Sequence, residues 1–148
     1  MRDYAKELKD RVEFIKDMLK SSGCSGVVYG NSGGKDSALV GILCKKATEN
    51  VLGVIMPCQS KRNFEEDMKD ALKVAEKFGI EAVTVDISNV KSEICGAIEK
   101  VGEITDAAGV NIAPRLRMTT LYAIAQSRGA LVAGTGNRSE AYMGYFTK

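Results

Sequence analysis

The chain has 148 residues, the length of one domain, and its 45% hydrophobic and 27% charged content is that of a soluble globular protein. A net charge of +2 is too small to argue for a nucleic-acid or anionic-membrane partner. Histidine is absent, which excludes histidine-ligated metals and Ser-His or Cys-His nucleophile pairs. The cysteines, at 24, 44, 58 and 95, have no C-x-x-C spacing and read as reduced and structural.

The N-terminal stretch MRDYAKELKDRVEFIKDML is charged throughout, without the apolar core of a signal peptide. No later run reaches membrane-spanning length, so a cytoplasmic location without membrane attachment is expected. Tyr4, Leu8, Val12, Ile15 and Leu19 recur at helical spacing, predicting a helix that stops near Gly23. Gly26–Gly30 reads as a buried strand, and Asp36 to about Thr48 as a helix. Val51–Pro57 is a second strand. Asn63, with Glu66 three residues on, has the pattern of a capping box for a helix that Gly79 ends. Glu81–Ile87 reads as a third strand and Val90–Val101 as a helix. GEITDAAGVNIAP looks like a loop, Leu116–Ser127 like a helix stopped by Gly129, and ALVAGTG like a fourth strand. Such alternation predicts an α/β fold with a doubly wound parallel sheet and helices on both faces. Ligands of such sheets sit beyond the carboxyl ends of the strands.

The stretch GNSGGKDS, Gly30–Ser37, lies just after the first strand. It nearly fits the P-loop pattern, but Asp36 stands where Ser or Thr is needed and Tyr29 where the first Gly should be. Ser32, Gly33 and Gly34 still allow a backbone anion cradle, and the helix that follows adds a partial positive charge. Asp36 would repel bare phosphate, yet suits a magnesium ion shared with it. The alternative is a plain turn with Asp36 as the helix cap. GTGNRS lacks the third Gly of a dinucleotide fingerprint, and that assignment is rejected.

SGGKDS is similar to the SGGxDS signature of the PP-loop ATP pyrophosphatases, whose fold is adenine nucleotide alpha hydrolase-like. Three further stretches resemble the NAD synthetases among them. These are VLGVIMP (Val51–Pro57), NIAPRLRM (Asn111–Met118) and VAGTGNRSEAYMGYFTK (Val132–Lys148). The resemblance covers nearly the whole chain and implies that residues 1–148 are the N-terminal portion of one such domain. It implies adenylation of the nicotinate carboxylate of nicotinic acid adenine dinucleotide by ATP. Ammonia then displaces AMP to give NAD. Gly30, Asn31, Ser32, Gly33, Gly34, Lys35, Asp36, Ser37, Met56 and Thr135 would bind ATP. Asp36 and Glu140 would hold Mg2+, and Arg115 and Lys148 would contact the dinucleotide. No acid or base is assigned, because a carboxylate needs none to attack phosphorus. Family members are homodimers and continue well beyond the equivalent of Lys148, where further substrate contacts and covering elements follow. The sheet is therefore expected to be incomplete at the C-terminus, and turnover by these residues alone to be poor. No glutaminase domain is present, so ammonia is the expected nitrogen donor. The competing readings are another PP-loop ligase and a catalytically incomplete nucleotide-binding fragment.

Overall fold

A computed structural model of the chain describes residues 3–58 and 64–147. Four parallel strands form one sheet: β1 (Gly26–Gly30), β2 (Val51–Ile55), β3 (Glu81–Thr84) and β4 (Ala130–Ala133). Their spatial order is β3-β2-β1-β4. The two central strands carry unbroken apolar runs because both of their faces are covered, as parallel sheets require.

The pleat of β1 sends neighbouring side chains to opposite faces. Val27 and Tyr29 join a core with Cys44 and Ala75, under helices α1 (Tyr4–Ser22), α2 (Lys35–Ala47) and α3 (Phe64–Phe78). Val28 joins Leu52, Val54 and Ala125 on the other face, where Leu116, Leu121 and Ile124 pack from α5 (Asp106–Ser127). Helices thus cover both faces, as expected. A fully buried Val or Leu contributes about 1.5–3 kcal/mol, so the central strands hold much of the stability. Tyr29 is wedged between close backbones. A methyl on Gly41 would collide with its hydroxyl, and one on Gly53 would lie 3.0 Å from the same oxygen. That hydroxyl is buried without a hydrogen-bond partner, and burial pushes its pKa up to about 12, with the Cys44 thiol adding to the shift.

Three expectations need correction. The segment GEITDAAGVNIAP is not a loop beyond its first residues, because α5 starts at Asp106 and runs through Pro114. Thr105 caps it, its hydroxyl accepting from Ala108 N at 3.3 Å. Gly109, Asn111 and Pro114 are poor helix formers, but packing of α5 on β1 and β4 outweighs their propensity. The third strand ends at Thr84, short of Ile87, as α4 (Ser88–Glu99) begins soon after. Residues beyond Ala133 leave the sheet, and a short helix α6 (Arg138–Met143) follows where none was expected. The Asn63 cap lies outside the described residues.

The chain winds outward from β1 to β2 to β3, then returns to the other side of β1 as β4. The winding direction therefore reverses between β1 and β4. A crevice opens at their carboxyl ends, where such sheets bind ligands.

Candidate active site

The phosphate-loop candidate occupies that crevice. Gly33 takes φ 81°, and a methyl there would run into the backbone carbonyl of Asp67 at the start of α3. Only glycine fits both the left-handed backbone and the close approach. The loop is drawn together by Ser37, which is 3% exposed. Its Oγ accepts from Ser32 N at 3.3 Å, lies 3.1 Å from Ser32 Oγ and donates to Gly34 O at 2.9 Å. Gly34 is the N-cap of α2 and supplies no side-chain cap. The first intrahelical bond is Ala38 N to Gly34 O. The amides of Lys35, Asp36 and Ser37 thus form an open helix N-terminus suited to an anion. Asp36 is not the cap, contrary to that part of the plain-turn alternative.

Asp36 is instead tied to the far side of the crevice. Its Oδ2 accepts from Asn137 Nδ2 at 3.2 Å. Asn137 caps α6, with Oδ1 accepting from Glu140 N at 2.9 Å while Glu140 Oε2 accepts from Asn137 N at 2.8 Å. Asn137 therefore stands between the carboxylates of Asp36 and Glu140. Sequence reasoning missed it, although Asn-x-x-Glu at 137–140 is a capping-box signal.

Among the described residues, no three or more acidic or thiol side chains converge as a metal cage. Two carboxylates held at one crevice nevertheless fit magnesium. That ion takes oxygen ligands and usually binds through one or two carboxylates, with substrate phosphates and waters completing its octahedron.

Beside the loop lies a cavity of about 580 Å³, within the range of small-molecule sites. Gly30, Asn31, Ser32, Met56 and Thr135 all line it, so five of the expected ATP residues meet there. Gly33, Gly34, Asp36 and Ser37 follow directly in the loop and at the start of α2, and Lys35 is exposed beside them. Asn31, 2% exposed, donates from Nδ2 to Ala71 O at 3.1 Å and so fastens the loop to α3.

Arg115 does not reach the cavity. It is exposed on α5, donating from Nη1 to Asn111 O at 2.9 Å. Asn111 Oδ1 in turn accepts from Thr147 Oγ1 at 3.3 Å, bringing the end of the described chain to the Arg115 side of α5. Lys148 lies outside the described residues. Arg117, two residues on and about 200° around the helix, lines the cavity. Met118, Leu121 and Tyr122 join it there. The sequence signal for Arg117 was the paired R-x-R itself, whose facing depends on a helical register the loop reading had not placed.

A sequence profile described as NAD synthase matches residues 7–148. The chain belongs to the NAD synthase family. It is 43% identical over 147 residues to the NH(3)-dependent NAD(+) synthetase of Finegoldia magna, covering 99% of this chain and 59% of that protein. A solved NH3-dependent NAD synthetase from Campylobacter jejuni, in complex with the nitrate ion, superimposes with a TM-score of 0.87 at 37% identity. That match covers 99% of this chain and 62% of the other. NMN synthetase from Francisella tularensis superimposes with a TM-score of 0.91 at 32% identity, covering 100% and 60%. The chain thus spans about three fifths of the length of these three proteins. No described helix is long and apolar enough to cross a membrane.

Proposed function

We propose that this chain carries the ATP site, and part of the second-substrate site, of an ammonia-dependent NAD synthetase, with residues 1–148 as the N-terminal portion of that enzyme domain. A carboxylate oxygen of nicotinic acid adenine dinucleotide attacks the α-phosphorus of ATP. The bond to pyrophosphate breaks, leaving an acyl adenylate. Ammonia attacks the acyl carbon, the bond to AMP breaks, and loss of a proton from nitrogen leaves the amide of NAD.

The juxtaposition of the phosphate loop with Thr135 around one cavity, at the reversal point between β1 and β4, carries this reading. The loop and the open start of α2 hold the triphosphate with backbone N–H groups, preorganised where charge develops. Asp36 and Glu140 would hold Mg2+, with Asn137 keeping both in reach. That ion, when bound, offsets charge on the phosphates during attack. Arg115 and Lys148 would grip the dinucleotide. The substrate carboxylate is itself the nucleophile, so the site works by positioning rather than by a general base. We infer that the active form is a cytoplasmic homodimer.

The test is a titration of wild type and Asp36→Asn with ATP, with and without Mg2+, followed by assays of AMP, pyrophosphate and NAD with dinucleotide and ammonium present. Wild type should need the metal for tight ATP binding, and the variant should lose about tenfold or more of that affinity, as expected for a lost charged ligand. Equal affinity in all four titrations would defeat the assignment of Asp36 to the metal, and no ATP binding in any of them would defeat the ATP assignment. AMP release that ignores the dinucleotide would favour another ligase of the same superfamily.

A further inference from the structure

Arg117 is the only basic side chain in the cavity wall among the described residues. The backbone of β2 shows what it meets there. Ile55 and Pro57 turn their carbonyls toward the β3 side, accepting from Val85 N at 2.9 Å and Ile87 N at 3.0 Å. Val54 turns its carbonyl the other way and accepts from Asn31 N at 2.9 Å. By the same alternation the Met56 carbonyl faces the β1 side. There β1 has already ended at Gly30 and turned into the phosphate loop. Arg117 takes the empty ladder position, donating from Nε to Met56 O at 3.3 Å. It reaches from α5 across the cavity wall to do so.

We propose that Arg117 is a positioning residue for the nucleobase. By holding the Met56 carbonyl it fixes the backbone edge that reads adenine, so that ATP is chosen over GTP. The proposal rests on the ATP reading of this cavity and adds a base-recognition device to it.

A strand-like residue points its N–H and C=O to the same side. Adenine presents a donor amino group beside an acceptor ring nitrogen, which such an N–H and C=O pair satisfies. Guanine presents acceptor O6 beside a donor ring N–H, the reverse order on the same edge. A carbonyl has two lone pairs, so Met56 O can hold Arg117 and still accept from an amino group. Fixing the edge matters because an unpaired polar group in a closed site is costly, and that cost is the source of discrimination. A free strand end would adapt to either base.

The experiment compares wild type with Arg117→Met, which keeps aliphatic bulk and removes every donor, and with Arg117→Lys, which restores one. Dissociation constants for Mg-ATP and Mg-GTP are measured by calorimetry, with melting temperatures alongside. Arg117→Met should weaken ATP binding by about tenfold or more and GTP binding far less, the scale of one charge-assisted hydrogen bond. Arg117→Lys should recover part of the preference. A folded Arg117→Met protein that keeps the full ATP preference would overturn the proposal, whatever its melting temperature, since a brace between α5 and the sheet predicts that result. Should the methionine variant not fold, the lysine variant decides: a partial loss of the ATP preference sustains the proposal, and a full preference or an equal loss of ATP and GTP affinity overturns it. Equal binding of ATP and GTP by wild type would overturn the base-reading role while leaving the nucleotide site standing. Binding of neither would remove both.

Discussion

Replacing Gly33 with alanine perturbs the phosphate loop twice over, and Gly129 supplies the control. Both glycines have left-handed backbones, at φ 81° and φ 59°. An L-residue with a side chain costs about 1–2 kcal/mol in that conformation, so this part is shared. The surroundings differ. Nothing lies within 4 Å of a methyl added at Gly129, whereas one at Gly33 meets the Asp67 backbone carbonyl. Neither the loop nor the first turn of α3 can yield by rotating a side chain, so overpacking adds about 1–3 kcal/mol. Gly129→Ala should therefore lower unfolding stability by about 1–2 kcal/mol and leave Mg-ATP affinity unchanged. Gly33→Ala should cost about 2–5 kcal/mol, and displacement of the loop should weaken Mg-ATP by about tenfold or more. Urea unfolding and ATP titration on both variants measure this. Equal destabilisation with unchanged ATP affinity would refute the idea that close packing against α3 shapes the loop.

Arg115→Ala should weaken the dinucleotide by about 1.5–3 kcal/mol, as for a lost charge-assisted bond, and hardly move ATP; calorimetry with each ligand decides, and a loss confined to ATP would reverse the assignment. Burial pushes the Cys44 thiol from 9.0 up to about 11 and the Tyr29 hydroxyl from 10.0 up to about 12. The folded state holds both protons more tightly, so their contribution is complete below about pH 9 and falls as pH rises toward 12, by up to about 1.4 kcal/mol per pH unit for each group. Urea midpoints from pH 8 upward should show the fall, and Cys44→Ala should delay its onset. Arg128 meets Glu81 through two hydrogen bonds, at 3.2 and 2.9 Å, joining the end of α5 to the start of β3. Both side chains are well exposed, so a double-mutant cycle should give about 1 kcal/mol or less, shrinking with salt.

The strand-helix alternation was legible because β1 and β2 are short apolar runs bounded by turn residues, a pattern that burial on both faces requires. The loop was legible because its glycines, serines and Asp36 lie together in sequence. The first half of α5 was not, since Gly109, Asn111 and Pro114 argue locally for a turn and only contact with the sheet overrides them. With the helix begun at Leu116, the sequence did not show that Arg115 and Arg117 leave α5 on different faces. Asn137 was hidden for a different reason. Its partners include Asp36, 101 residues away, and no local pattern encodes that contact.

The Tyr29 wedge has a consequence for how the sequence can drift. Gly41 on α2 and Gly53 on β2 both border one aromatic ring, and each leaves room that a methyl would take. Neither glycine can gain a side chain while the ring stays. Shrinking the ring first opens a void costing about 3–5 kcal/mol, the usual scale for loss of a buried aromatic side chain. The three positions form a unit that single substitutions cannot cross cheaply. Lineages should therefore carry either the tyrosine with both glycines or a smaller residue with compensating bulk, with few intermediates between them.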